Sequence, residues 1–219
     1  MDRERGPGYD RPGDREITSL GNMRKRTLKP VPRNPEETLA RLVDAAEAEF
    51  NAHGFHGTDT NRIARRAGYA PQTFYRHFAD KTAVFVAVYD RWWKDEIAAL
   101  DRALARKPAK QSAQSAARVV IGFHTRWRGF RRSLRHLALE DPAVRAARTA
   151  ARIAQIARMR AMPGSGQLQR SDAELVAFLL TAERLCDAAA EGELHDLGLS
   201  SRAATELVAH AMSQLIGLQ

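Results

Sequence analysis

The run Thr60-Asn61-Arg62-Ile63-Ala64-Arg65-Arg66-Ala67-Gly68-Tyr69-Ala70-Pro71-Gln72-Thr73-Phe74-Tyr75-Arg76-His77-Phe78 decides how this chain folds. It divides into two short segments, Thr60 to Ala67 and Ala70 to Phe78, joined by Gly68-Tyr69. The first offers Ile63, Ala64 and Ala67 for burial, the second Phe74 and Phe78. Isolated helices shorter than about 12 residues are marginal, so both segments need a longer neighbour. One precedes them. Asn34 is placed to cap a helix, Pro35 suits its first position, and Glu36 and Glu37 favour the positive end of the dipole. Leu39, Leu42, Val43, Ala46 and Phe50 follow at helical spacing, and Gly54 ends the run. Asp59 caps the first short segment, and Asp80 caps a long helix from Lys81 that carries Val84, Phe85, Val88 and Trp92 on one face. Lys107-Pro108 stops it near Arg106.

The remaining chain is helical by period, with expected spans 111–125, 128–140, 142–162, 171–191 and 201–217. Asp141-Pro142 reads as a cap with a first-position proline, Ser171 and Glu174 have capping-box spacing, and Pro163-Gly164-Ser165-Gly166 is a loop. No segment alternates as a strand would. The expectation is an all-α chain: a tail over 1–34, a three-helix helix-turn-helix domain over 35–81, and a helical bundle over 82–219. The tail is rich in Gly and Pro and ends in the basic arm Arg24-Lys25-Arg26, so disorder is expected there; Met23 offers a second starting position.

Composition narrows the class. The chain has 219 residues, 35 Lys plus Arg against 26 Asp plus Glu, a net charge of +9, and a single cysteine. One cysteine cannot form an internal disulfide, no apolar run approaches the roughly 20 residues of a membrane span, and the start lacks a secretory apolar stretch. A cytoplasmic protein with no membrane partner is expected. Positive charge proposes a polyanion, and it is concentrated in 102–160, with 15 basic and two acidic residues.

Two short helices at a sharp turn, packed on a longer one, have the layout of a DNA reader whose second helix enters the major groove. Ala70, Pro71, Gln72, Thr73, Arg76 and His77 form the outer face of that segment and bury nothing. Gln72 suits adenine N6 and N7, and Thr73 offers a hydroxyl or a methyl. Tyr75, Arg76, His77 and Lys81 suit phosphate oxygens. A plain helical hairpin with a polar face is the competing reading of the layout.

The residues go further than the layout. Ile63-Ala64-x-x-Ala67-Gly68, then Thr73-Phe74-Tyr75-x-His77-Phe78, then Asp80-Lys81 resemble the DNA-binding domain of the TetR family across residues 36–82. The resemblance implies a homodimeric regulator, usually a repressor, released from a palindromic double-stranded DNA operator by a small molecule. By position, Thr60, Tyr75, His77 and Lys81 would hold phosphates, while Tyr69, Ala70, Gln72, Thr73 and Arg76 would face the groove. The family often has Ser or Thr where Ala70 stands and Gly where Gln72 stands. The missing glycine removes a close backbone approach to DNA and leaves a side-chain contact by Gln72 in its place.

The last two helices carry apolar stripes that read either as core or as an interface. The family's dimer-forming bundle assigns Leu175, Leu179, Ala182, Cys186, Leu207, Val208, Ala211 and Leu215 to the interface. In the middle bundle, Trp92, Phe123, Trp127, Phe130 and Phe178 are candidate walls of an effector pocket, with His124 and Arg184 as polar anchors. The Arg-rich stretch through Arg126, Arg128, Arg131, Arg132 and Arg135, continued by Arg145, Arg148 and Arg152, reads as a solvated surface or as the partner of an anionic effector. Rival functions have little to stand on. There is no phosphate loop after a strand, no cofactor motif, and Cys186 lies on an apolar stripe where thiols are inert. His53 and His56 have ligand-like spacing but straddle Gly54 without a nearby carboxylate, so no metal is expected. An effector-independent or architectural DNA binder is the alternative regulator.

Overall fold

Several helices begin at a capping side chain, whereas α3, α6 and α9 start without one. The computed structural model describes residues 34–104, 109–161 and 170–216, and all of these fall within one unit, Pro32–Gln219. The expected tail therefore lies outside the described residues, Asn34 excepted. The helices are α1 (Pro35–His53), α2 (Thr60–Ala67), α3 (Pro71–Tyr75), α4 (Lys81–Leu104), α5 (Ala109–Arg126), α6 (Arg128–Glu140), α7 (Pro142–Arg160), α8 (Asp172–Glu191), α9 (Glu193–Asp196) and α10 (Ser201–Ile216). No strand occurs among the described residues. Asn34 accepts the Glu36 N–H at 3.0 Å, Asp59 that of Arg62 at 2.8 Å, Asp80 that of Ala83 at 2.7 Å and Asp141 that of Ala143 at 2.8 Å. Ser171 and Glu174 form the reciprocal capping box that opens α8. These contacts satisfy N–H groups that a helix start otherwise leaves orphaned.

Two elements differ from expectation. α3 is only five residues long and continues as a turn, with the N–H groups of both His77 and Phe78 reaching the Phe74 carbonyl at 2.9 Å. Phe74 and Phe78 both point inward, with ring centroids 5.6 Å apart, so the same apolar pattern serves a helix plus a turn. α9 is four residues with one buried side chain, Leu194, too short to leave a period in the sequence.

The recognition unit shares its core with the bundle. Leu42, Ala46 and Phe50 of α1, Ile63 and Ala64 of α2, and Phe74 of α3 pack in one cluster with Phe85 and Val88 of α4 and Phe130 and Leu134 of α6. Phe85 sits at its centre, 5.0 Å from the Phe50 ring and 4.7 Å from that of Phe130. The sharp bend between α2 and α3 uses Gly68 in the left-handed region at φ +86°, which a side chain would strain. α6 meets α1 backbone to backbone: a Cβ on Gly129 would lie 2.0 Å from the Asn51 carbonyl oxygen. Asn51 stitches the contact, donating to the Arg126 carbonyl at 2.7 Å and accepting the Phe130 N–H at 3.3 Å.

Candidate nucleic-acid interface and effector cavity

α3 turns its polar side to solvent as the sequence implies. Ala70, Gln72, Tyr75 and Arg76 are exposed, Thr73 and His77 half-buried, and Gln72 and Arg76 have no side-chain partner among the described residues. Tyr75 Oη lies 2.9 Å from Thr60 Oγ1, which joins the start of α2 to the end of α3. One hydroxyl donates to the other, so the pair keeps one proton for an outside acceptor. Asp59, beside Thr60, caps α2 by accepting the Arg62 N–H.

Two expected DNA contacts have other partners. The Lys81 ammonium donates to the carbonyls of Phe55 at 2.8 Å and Thr58 at 2.9 Å and lies 4.2 Å from the centre of the Phe55 ring. Burial lowers its pKa, partly offset by Asp59. It pins the α1–α2 corner, because three carbonyl and ring contacts there replace the water a free ammonium would hold. Tyr69 is half-buried against the core and donates to Thr38 Oγ1 at 3.3 Å, so it anchors the bend to α1.

Sequence reasoning passed over Glu49. Its carboxylate, 4% exposed, accepts Thr58 Oγ1 at 3.1 Å and pairs with Arg62 at 3.1 Å and Arg66 at 3.2 Å. It fixes α2 on α1. The clue was available: an acid one residue before Phe50, facing Arg62 and Arg66 across the corner.

A cavity of about 100 Å³ lies between α4, α5, α7, α8 and α10. Ile97, Leu100, Val120, Met159, Phe178, Leu179 and Met212 supply apolar wall, and Glu96, His124, Gln155, Arg158 and Glu183 the polar part. Of the expected wall, His124 and Phe178 line it. Trp127 and Phe130 are instead buried in the core shared with α1 and α4, against which Phe123 packs, and Trp92 stands behind His124 with ring centroids 5.7 Å apart. Arg184 points to solvent and pairs with Glu193 at 2.5 Å. Trp92, Trp127 and Phe130 are drawn to the larger apolar cluster, which leaves Phe178 and mostly aliphatic side chains around the cavity.

Behind the cavity lies a buried charge network. Asp187 accepts from His124 Nδ1 at 2.8 Å and from Arg131 at 2.9 and 3.0 Å, and pairs with Arg135 at 2.9 Å. Burial alone would raise this carboxyl, but hydrogen bonds from His124 and Arg131 and the Arg131 charge hold it well below the usual carboxylate range. Glu183 is likewise held low against burial by Arg131, Arg148 and Arg152. Arg131 is 1% exposed and also covers the Trp92 ring at 4.9 Å. Arg145 donates to the carbonyls of Ala138 and Leu139. Of the arginines that suggested an anionic effector, Arg131, Arg132, Arg135, Arg148 and Arg152 pair with carboxylates and Arg145 with carbonyls. Arg126 and Arg128 are exposed away from the cavity lining, whereas Arg158, paired with Asp101, lines the cavity.

Most of the described stripe residues of α8 and α10 face inward. Leu175, Ala182, Cys186 and Val208 are buried within the subunit, and burial pushes the Cys186 thiol far up. Leu179 lines the cavity and Ala211 is half-buried, while the Leu215 side chain lies outside the described residues. Leu207 remains exposed, and Val176 and Leu180 on α8 share that exposure. Periodicity located the helices and their stripes but selected the faces that fill the core.

α2 and α3, packed on α1, form a helix-turn-helix carried on a helical bundle. Residues 42–88 match the bacterial regulatory proteins of the tetR family. The chain is 39% identical over 59 residues to the HTH-type transcriptional repressor SCO4008 of Streptomyces coelicolor, covering 27% of this chain and 31% of that one. It is 29% identical over 113 residues to the HTH-type transcriptional regulator TcmR of Streptomyces glaucescens, covering 52% and 47%. These matches span less than half the length of the curated relatives. A protein from Rhodococcus sp., assigned to the TetR-family transcriptional regulators, superposes over 83% of this chain and 99% of its own with a TM-score of 0.66 at 17% identity, which shows a common fold. The family match covers most of α1, all of α2 and α3, and the start of α4. No helix among the described residues is long and apolar enough to cross a membrane.

Proposed function

We propose that this protein is a sequence-specific transcriptional regulator, a repressor that leaves a palindromic operator when a small molecule occupies the cavity. The supporting observation is the exposed face of α3, where Gln72 and Arg76 stand unpaired beside the Thr60–Tyr75 hydroxyl pair. Gln72 and Thr73 read base edges, Arg76 and His77 approach the phosphates with Tyr75, and Lys81 acts indirectly by holding the corner. The relative from Streptomyces coelicolor is a transcriptional repressor, and repression is carried over from it here. Residues 35–81 do the reading and residues 82–219 receive the effector and dimerise, in the cytoplasm. A single reading helix spans only a few base pairs, so a twofold pair supplies the rest of the specificity. Val176, Leu180 and Leu207 are the apolar side chains that α8 and α10 leave for a second copy.

The effector is an apolar molecule of modest size. Its polar contacts are His124, Glu96 and Gln155, since the arginines nearby are neutralised. Occupancy reaches DNA through His124, Asp187 and Arg131 to α6, whose first turn abuts Asn51 of α1. Fluorescence anisotropy on a selected operator tests the reading: Gln72→Ala should lose discrimination between sites, by about 1–3 kcal/mol at one position. Tyr75→Phe should weaken all sequences alike and flatten the salt dependence. Equal, small losses in both variants would overturn the assignment of α3.

A further inference from the structure

The corner between α1 and α2 places a third group of functional side chains against α6. His56 in that corner, and His136 and Glu140 one turn apart on α6, bring their ligand atoms within 4.8 Å of one another, and all three residues are exposed. His136 Nε2 lies 3.4 Å from Glu140 Oε2, and the His56 and His136 rings meet edge to face with centroids 6.0 Å apart. The two histidines close in sequence do not converge: His53 faces Glu49 at 3.9 Å, while His56 faces α6. The fold supplies from α6 the carboxylate and second imidazole that the local sequence lacks.

We propose that His56, His136 and Glu140 form a site for a divalent transition cation of the Zn²⁺ class, which ties the reading unit to α6. Two imidazole nitrogens and one carboxylate suit Zn²⁺, Co²⁺, Ni²⁺ or Cu²⁺, whereas Ca²⁺ and Mg²⁺ require oxygen-rich sets. Around a tetrahedral Zn²⁺ with bonds of about 2.0–2.1 Å, ligand atoms sit roughly 3.3 Å apart. The ligand atoms, within 4.8 Å of one another on three exposed side chains, stand about 1.5 Å or less from that spacing. A fourth position stays open to water.

The backbones are already held in register. The Phe55 N–H, one residue before His56, donates to Ser133 Oγ at 3.0 Å, and Gly129 abuts Asn51. Residues 129, 133, 136 and 140 follow at helical spacing along one stripe of α6, so the side that grips the corner also carries the two ligands. A bound ion adds a cross-link between segments distant in sequence, and binding to the folded chain alone raises its stability.

The test uses full-length, tag-free protein stripped with EDTA and titrated with Zn²⁺ against a chromophoric chelator. One equivalent per chain should be taken up, with Ca²⁺ and Mg²⁺ failing to compete. His56→Ala and His136→Ala should each weaken uptake about tenfold or more, while His53→Ala should not. Zn²⁺ should raise the melting temperature of the wild type and leave that of His136→Ala unchanged. All three ligands are exposed, so metal-free melting of the variants should match the wild type and separate metal loss from misfolding. Absence of stoichiometric uptake, uptake unchanged in His56→Ala, or equal loss in His53→Ala would overturn the site.

Discussion

Replacing Asp187 by asparagine keeps the shape of the side chain and removes the charge on which α5, α6 and α8 converge. Asp187 is 4% exposed and holds Arg131, 1% exposed, through two hydrogen bonds of 2.9 and 3.0 Å. Removing one partner of a buried ion pair costs about 3–5 kcal/mol. Glu183 remains 3.8 Å from Arg131, and Arg135 is partly solvated, so the lower end applies, about 3 kcal/mol. For a chain of this length each kcal/mol moves the melting midpoint by about 2–4 °C, which gives a fall of about 6–12 °C. Circular dichroism melting at neutral pH measures it. The acid limb supplies a second check. A carboxyl held below its unfolded pKa stabilises the fold above that value, about 3.9 for Asp, and loses this contribution as pH falls further. The gap between wild type and Asp187→Asn should therefore stay constant from pH 8 to 5 and narrow below about pH 4. A variant that melts within about 1 °C of wild type at pH 7 would refute the view that Asp187 sustains the buried guanidinium.

Gly129→Ala drives a methyl group into the Asn51 carbonyl, so it should lower the melting midpoint and weaken DNA binding together, read by melting and anisotropy. Glu49→Gln removes the buried charge that holds Arg62 and Arg66. Because those guanidiniums are 42% and 51% exposed, a loss of about 1–2 kcal/mol in chemical denaturation is expected. Lys81→Met should reduce stability by releasing the Phe55 and Thr58 carbonyls, while leaving the salt dependence of DNA binding close to wild type. A lost phosphate contact would flatten that dependence by about one unit of slope.

Local rules made most of the fold legible. Capping side chains, first-position prolines and apolar spacing located α1 to α8 and α10 to within a few residues, because these contacts lie close together in the chain. α9 escaped, since four residues hold no period. The exposed polar face of α3 was legible for the same reason: Gln72, Tyr75 and Arg76 sit on a short segment whose buried face Phe74 declares. What depended on distant chain was not. Lys81 finds its carbonyls, Glu49 its arginines and His124 its aspartate only after folding. Of the aromatic residues named for the cavity, Phe178 lines it, while Trp92, Trp127 and Phe130 joined the larger core and Phe123 packs against that core, because nothing local distinguishes a pocket wall from packing. The stripes of α8 and α10 likewise reported burial without saying which neighbour covers them.

The central claim is that α3 reads DNA in a twofold pair. Selection of bound duplexes from a random pool by the full-length protein tests it most directly. The expected outcome is an inverted repeat whose half-sites lie about one helical turn, 10–10.5 bp, apart or a multiple of it, and whose enrichment vanishes with Gln72→Ala and Arg76→Ala together. A pool without a common motif, or a motif that the double variant retains, would contradict it.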